Sequence, residues 1–228
     1  MDKRKEVLIE VWGDYALFTR PEFKSERLTY DCITPSAARG IIESIYWHPG
    51  MKWVIDQIYI CNPIKTISIR MNELKSKINA RNVRQCITSG GNVELGVYAA
   101  VDRTQRISKI LKDVRYVIAA HPEMTGEPMP RLNLEKIYEI TTRRLTQGQC
   151  YRTPYFGCRE FAVRFQPASE LPACPRPLLG DKDLGLMLLD MDYNDPENIE
   201  PVFFRAKLKN GVLDVPNLEA SRKVVIVE

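Results

Sequence analysis

Histidine is scarce in this chain, with only His48 and His121 among 228 residues. The six cysteines (Cys32, Cys61, Cys86, Cys150, Cys158 and Cys174) form no C-x-x-C pair. Zinc sites draw on closely spaced Cys and His, so no metal centre is expected. In a reducing compartment these thiols read as buried or idle groups. No apolar run approaches the roughly 18 residues that would suggest a membrane-crossing helix. The opening Met1-Asp2-Lys3-Arg4-Lys5-Glu6 passes straight into a strand-like run without a signal-peptide core. A cytoplasmic protein with no membrane contact is expected. Also missing are a glycine-rich dinucleotide fingerprint and a nucleophile elbow, which argues against common small-molecule enzymes and calls for no cofactor. The basic-Gly-aromatic-Gly-aromatic hallmark of common RNA-recognition domains is lacking too; Phe156-Gly157-Cys158-Arg159-Glu160-Phe161 is a distant echo.

Strong charge of one sign is likewise absent. Lys and Arg number 33 against 29 Asp and Glu, a net of +4. Distribution says more than the sum. Arg20, Lys24 and Arg27 share one segment, and Arg70, Lys75, Lys77, Arg81 and Arg84 a second. Arg143, Arg144, Arg152 and Arg159 share a third. Basic residues set among aromatics and turns suit a groove that follows phosphates, although Lys and Arg stud ordinary surfaces as well.

What is present is a regular alternation of elements. Val7 to Trp12 has the β-branched content of a strand, stopped by Gly13-Asp14. Thr34-Pro35 is a sound helix start, with a capping hydroxyl followed by a proline at the first helical position. Ala37, Ala38, Ile41, Ile42 and Ile45 then recur at helical spacing, and His48-Pro49-Gly50 is expected to end the helix. Residues 52–61 predict a central strand with both faces apolar. Across 62–100 the pattern breaks up, and the basic stretch 75–91 predicts a hairpin or insertion. Residues 113–120 predict a third strand and 132–145 a second helix, with Gly148 beyond its end. Residues 161–165 alternate strictly and predict a fourth strand. The order β-α-β-β-α-β predicts an α+β protein with a ferredoxin-like core over residues 1–167. The proline-rich stretch 167–177 marks a boundary, and residues 168–228 predict a small C-terminal β domain.

Several motifs resemble one known family. They are Val11-Trp12-Gly13-Asp14-Tyr15-Ala16-Leu17-Phe18-Thr19-Arg20-Pro21-Glu22 and Glu26-Arg27-Leu28-Thr29-Tyr30-Asp31. Thr34-Pro35-Ser36-Ala37-Ala38-Arg39-Gly40-Ile41-Ile42-Glu43-Ser44-Ile45-Tyr46-Trp47 follows. Leu111-Lys112-Asp113-Val114-Arg115-Tyr116-Val117-Ile118, leading to His121, comes next. Then come Gly148-Gln149-Cys150, Tyr155-Phe156-Gly157-Cys158-Arg159-Glu160-Phe161 and Leu184-Gly185-Leu186-Met187-Leu188-Leu189-Asp190. Together they resemble CRISPR-associated protein family five, in the variant of type I-C (Dvulg) systems, part of the RAMP superfamily.

The resemblance implies an RRM-like, ferredoxin-like RAMP core with an inserted β-hairpin and a small C-terminal antiparallel β-sheet. It implies a metal-independent endoribonuclease that cuts precursor guide RNA (pre-crRNA) at the base of the repeat hairpin. The product's 5′ handle would be retained in the Cascade surveillance complex. Implied partners are therefore the crRNA repeat hairpin and handle, the backbone RAMP and large subunits of type I-C Cascade, and target DNA within that complex. A second reading keeps the handle-binding and assembly role but assigns cutting to another agent.

Metal-free RNA cleavage needs a group to deprotonate the 2′-hydroxyl, charge to stabilise the phosphate, and a proton for the departing 5′-oxygen. Tyr46 matches the family's catalytic tyrosine. A phenol near pKa ~10 is a poor base at neutral pH, so a proton donor or 2′-hydroxyl orienter is expected. Lying seven residues after Arg39, it is expected to share that residue's helix face. His121 matches the catalytic histidine. The family's neighbouring lysine is absent, however, with Ala119 and Ala120 before it and Pro122 after. Arg115 or Lys112 could supply the missing cation. His48 reads as a partner of the helix dipole. Expected RNA contacts are Arg20, Lys24, Arg27, Arg39, Arg143, Arg144, Tyr151, Arg152, Tyr155 and Arg159, because glycines in the 148–159 loop let backbone approach phosphate and its aromatics can stack on bases.

Overall fold

The computed structural model describes residues 6–23, 26–77, 79–91, 95–126, 132–170, 180–193, 195 and 197–217. Among these, one largely antiparallel sheet organises the chain. Its strands are β1 (Val7–Ala16), β2 (Arg27–Leu28), β3 (Met51–Ile60), β4 (Lys65–Leu74), β5 (Arg103–Met124), β6 (Arg164–Pro167), β7 (Lys182–Asp192), β8 (Glu200–Lys209) and β9 (Val212–Asp214). They run in the order β6-β1-β5-β3-β9-β8-β7, with β2 and β4 added along β5. The helices are α1 (Pro35–Ile45), α2 (Ala80–Thr88), α3 (Ala99–Asp102) and α4 (Leu134–Gln147). No described helix is long and apolar enough to cross a membrane.

Local chemistry explains the main elements. Alternate residues Val7, Ile9 and Val11 of β1 turn into the core. At the start of α1 the Thr34 hydroxyl accepts from the Ala37 N–H, and Pro35 occupies the first turn. Pro35, Ala38, Ile41, Ile42 and Ile45 form its buried stripe against the sheet, and each fully buried isoleucine contributes about 1.5–3 kcal/mol. The Asn133 side chain accepts from Lys136 N–H at the start of α4, and Gly148, left-handed at φ 65°, ends it.

Three features differ from the sequence expectation. First, α1 stops at Ile45, short of His48-Pro49-Gly50, and Tyr46 is already extended (φ −150°, ψ 126°). Tertiary donors take over the carbonyls that the helix end leaves open. Tyr151 and Arg152 N–H donate to Ser44 O, Arg144 Nη1 to Ile45 O, and Trp53 Nε1 to Tyr46 O. His48 is half-buried and its Nδ1 lies 2.7 Å from Pro49 O, so it does not serve the helix end. Second, β5 is 22 residues long rather than limited to 113–120. Its first half pairs with β4, residues 103–112 against 65–74, as a projecting arm. Its second half is sandwiched between β1 and β3. Asp113, at φ 56°, marks the junction. Third, the basic stretch at the arm's tip contains α2, whose residues all remain unburied.

The C-terminal strands continue the main sheet. β9 pairs with Gln57–Tyr59 of β3, and an Asn210-Gly211 turn with both φ positive joins β8 to β9. Leu184, Met187, Phe204, Leu208 and Leu213 join the same hydrophobic cluster as β1 and α1. Arg39 fastens this edge to α1. Its Nε and Nη2 donate to Asp190 Oδ2 and Oδ1 at 2.7 and 2.8 Å, and its Nη1 to Glu43 at 2.6 Å.

Candidate active site and nucleic-acid interface

Tyr46 sits where α1 gives way to extended chain, 7 % exposed within the main core cluster. Its ring is covered by the Arg144 guanidinium from α4, 5.1 Å from ring centroid. Arg144 is held there by its 2.5 Å bond to Ile45 O. Burial pushes the phenol above its ordinary pKa, with Arg144 opposing that shift. The group therefore keeps its proton at neutral pH and can donate it. The expectation that Tyr46 and Arg39 share a helix face is not met, because Tyr46 lies past the last helical residue and Arg39 turns to Asp190 and Glu43.

His121 is 4 % exposed near the end of β5, paired with Val54 of β3. Its Nδ1 lies 2.7 Å from Asp56 Oδ2 and its Nε2 3.3 Å from Glu123 Oε1. The register shifts between Ile55 and Gln57, an irregularity that breaks strict alternation at Asp56 beside the ring. Burial would raise the Glu123 pKa, but hydrogen bonds from Lys52 and His121 outweigh it and hold the carboxyl below its usual range. Lys52 Nζ sits 3.0 Å from Glu123 Oε2. Periodicity could not reveal Asp56, Glu123 and Lys52 as a group, since strand pairing and a bulge bring them together.

The two candidate catalytic groups belong to different packing environments. Ala120 and Trp53 share the main cluster with Tyr46, whereas Ala119 and Val117 form a second cluster with Tyr59. Strand alternation carries His121 to the side of Ala119. Trp53 connects the regions, bonding the Tyr46 carbonyl from a position next to Val54. Both Ala119 and Ala120 are buried. The suggested replacements lie elsewhere. Arg115, six residues or roughly 20 Å along the strand from His121, donates to Glu10 at 2.6–2.7 Å and lies over Trp12. Lys112 lies farther still, opposite Lys65. Arg144 is the cation placed at Tyr46.

The other expected contacts disperse. Arg20 lies over the Tyr30 ring and 3.6 Å from Glu22. Arg27 pairs with Glu73 at 2.7 Å. Arg143 and Arg159 are exposed, and Lys24 falls outside the described residues. Tyr151, Arg152 and Tyr155 do converge, along a groove of about 700 Å³ between α1 and the 148–157 loop. Trp47, which the sequence reading passed over, joins them there. The three aromatics are 51 % (Trp47), 73 % (Tyr151) and 44 % (Tyr155) exposed, and Arg152 lies over the Tyr151 ring. The loop is anchored. Phe156 O accepts from Leu17 N–H, and Gly157, at φ +79°, approaches so closely that a Cβ would come 1.9 Å from Leu17 O.

Comparison with known proteins agrees with these motifs. Residues 6–216 match the family described as CRISPR-associated protein (Cas5), in its Cas5d form. The chain is similar to the CRISPR pre-crRNA endoribonuclease Cas5d of Mannheimia succiniciproducens, 44 % identical over 214 residues covering 92 % of this chain and 94 % of that protein. It is 34 % identical over 226 residues to the protein of the same description from Thermus thermophilus, covering 91 % and 90 %. Its fold is similar to a solved CRISPR-associated protein at a TM-score of 0.68 and 22 % identity, over 96 % of this chain and 95 % of that one.

Proposed function

The chain belongs to the Cas5d family of CRISPR-associated proteins, and from that premise we propose that it is a CRISPR pre-crRNA endoribonuclease. The observation that carries this is the 44 % identity to a relative of that description across nearly all of both chains. In this reading it cuts pre-crRNA at the base of the repeat hairpin without a metal ion. It then holds the crRNA 5′ handle within a cytoplasmic type I-C Cascade beside the backbone and large subunits, where target DNA is also bound. The order β6-β1-β5-β3, fourth, first, third and second among the core strands, supports a ferredoxin-like RAMP core. The arm of β4 and β5, tipped by basic α2, is the part that reaches RNA or a neighbouring subunit.

In the proposed chemistry the 2′-oxygen attacks the adjacent phosphorus and the bond to the 5′-oxygen breaks. The products are a 2′,3′-cyclic phosphate and a 5′-hydroxyl. His121 acts as the base at Nε2 once RNA displaces Glu123 and that nitrogen has given up the proton it shares with the carboxylate, its Nδ1–H being donated to Asp56. Glu123, on the longer contact, gives way to RNA. Tyr46, kept protonated by burial, orients or protonates the oxygens, and Arg144 stabilises the phosphate charge. For both groups to reach one phosphate, RNA must wrap the sheet end where β3 begins and β5 finishes. DNA lacks the nucleophile and is not cut.

The handle-holding reading without catalysis draws on one observation: buried Ala119 and Ala120 precede His121, so the lysine that the family resemblance implies beside it is missing. Incubating the purified protein with its cognate repeat hairpin in excess EDTA separates the two. A single cut is expected, abolished by a 2′-deoxy substitution at the scissile nucleotide and strongly slowed in Tyr46→Phe and His121→Ala. Hairpin that is tightly bound but never cut would establish the holder instead.

A further inference from the structure

An imidazole flanked by two carboxylates is poorly placed to receive a phosphate. Asp56 and Glu123 both contact His121, and an approaching phosphodiester adds further negative charge at close range. The neighbours of His121 on β5, Ala119, Ala120 and Pro122, bring no cation to offset it. The cation comes from the next strand. We infer that Lys52 is a catalytic residue of the cleavage, its ammonium contacting a non-bridging oxygen of the scissile phosphate, and that Glu123 holds that phosphate's place until RNA arrives. The inference rests on the RNA-cleaving function proposed above and adds to it a charge-stabilising residue and its resident counter-ion.

Three observations carry it. The first is the geometry of the bridge. One Glu123 oxygen lies 3.3 Å from His121 Nε2 and the other 3.0 Å from Lys52 Nζ. A phosphodiester also offers two anionic oxygens on a single atom. Set in place of the carboxylate, it meets Lys52 with one oxygen and brings the adjacent 2′-hydroxyl to Nε2. The second is position. Lys52 and Glu123 face each other one residue pair before β3 and β5 reach the sheet end at Met51 and Met124. Met51 and Trp53 pack into the core cluster that holds Tyr46, so alternation turns Lys52 to the His121 side. RNA reaching both Tyr46 and His121 around that end must pass Lys52. The third is how little the Lys52–Glu123 pair does for the fold. Lys52 is exposed and Glu123 half-buried, and an ion pair so open to water adds little stability. A compact charge on a flexible stem can instead exchange the carboxylate for a phosphate oxygen. No proton passes through Lys52, so bonds and protons balance as in the cleavage written above.

The test is single-turnover cleavage of the cognate repeat hairpin by the full chain, at saturating RNA in excess EDTA. The variants are Lys52→Met, Lys52→Arg, Glu123→Gln and the double variant Lys52→Met with Glu123→Gln. Lys52→Met is expected to cleave roughly 10²–10³-fold more slowly, the loss typical of one transition-state donor, with an unchanged urea midpoint. Lys52→Arg keeps the charge and should recover much of that loss. Glu123→Gln should bind the hairpin more tightly, because the phosphate no longer competes with a carboxylate for Lys52. The double variant separates catalysis from positioning. If Lys52 contacts the phosphate, Lys52→Met slows cleavage by the same factor with or without the Glu123 carboxylate. If Lys52 only positions Glu123, its removal has no effect once the carboxylate is gone, and the inference is overturned. Wild-type cleavage by Lys52→Met overturns it too, as does a defect that disappears at saturating RNA. If wild type leaves the hairpin uncut, the cleavage function fails first and this inference with it.

Discussion

Arg144→Ala separates a structural from a chemical role at Tyr46. The guanidinium donates to Ile45 O and covers the Tyr46 ring. A hydrogen bond from a charged donor contributes about 1.5–3 kcal/mol, and a partly exposed cation–π contact about 0.5–1 kcal/mol. Water replaces some of both at this half-buried site, leaving a loss of about 2 kcal/mol. With a urea m-value of about 2–3 kcal/mol/M, the unfolding midpoint should fall by roughly 1 M. Single-turnover cleavage of the hairpin, assayed well below that midpoint, should fall a further 10²–10³-fold if Arg144 stabilises phosphate charge. The pH profile supplies an independent check. Tyr46 must be protonated to donate, so activity is lost as pH rises through its elevated pKa. Arg144 lowers that pKa, and its removal should move the alkaline limb to higher pH. A variant that unfolds earlier yet cleaves at the wild-type rate with an unmoved limb would refute the assignment and leave Arg144 as a helix cap alone.

Asp56→Asn preserves shape but replaces the acceptor 2.7 Å from His121 Nδ1 with an amide. Cleavage should drop by about 10²-fold or more with hairpin affinity within twofold; an unchanged rate would remove Asp56 from the chemistry. Because the Glu123 carboxyl is depressed, its contribution to stability is present above its unfolded pKa of ~4.3 and is lost as pH falls through the lower folded value. Urea midpoints at pH 7 and pH 3.5 should therefore converge in Glu123→Gln relative to wild type, and equal pH dependence would contradict that linkage. Gly157→Ala drives a Cβ into Leu17 O. Circular dichroism should show a melting midpoint lower by several degrees, with weakened RNA binding, whereas a wild-type midpoint would mean the loop is not pinned there.

Much of the frame was readable from residues alone. Thr34-Pro35 with its isoleucine spacing announced α1, and Gly148 closed α4, because caps and helical periodicity are local physics. The arm was not readable as such. Residues 103–109 pair with β4 rather than filling a core, so their mixed polarity gave no strand signal. Helix α2 escaped because Val83 and Ile87 are its apolar pair and neither is buried.

By itself the sequence determined the family, helices α1 and α4, and the candidacy of Tyr46 and His121, since motifs and short-range patterns are carried by neighbours in the chain. Which charges serve those two groups was a tertiary decision. Arg144 reaches Tyr46 from a separate helix, 98 residues on in the numbering, and Asp56 meets His121 across a bulged strand pair. Arg39 was drawn away by Asp190 of a C-terminal strand. Charge interactions act over a few ångströms of space, and no local periodicity encodes which distant residues folding will place there.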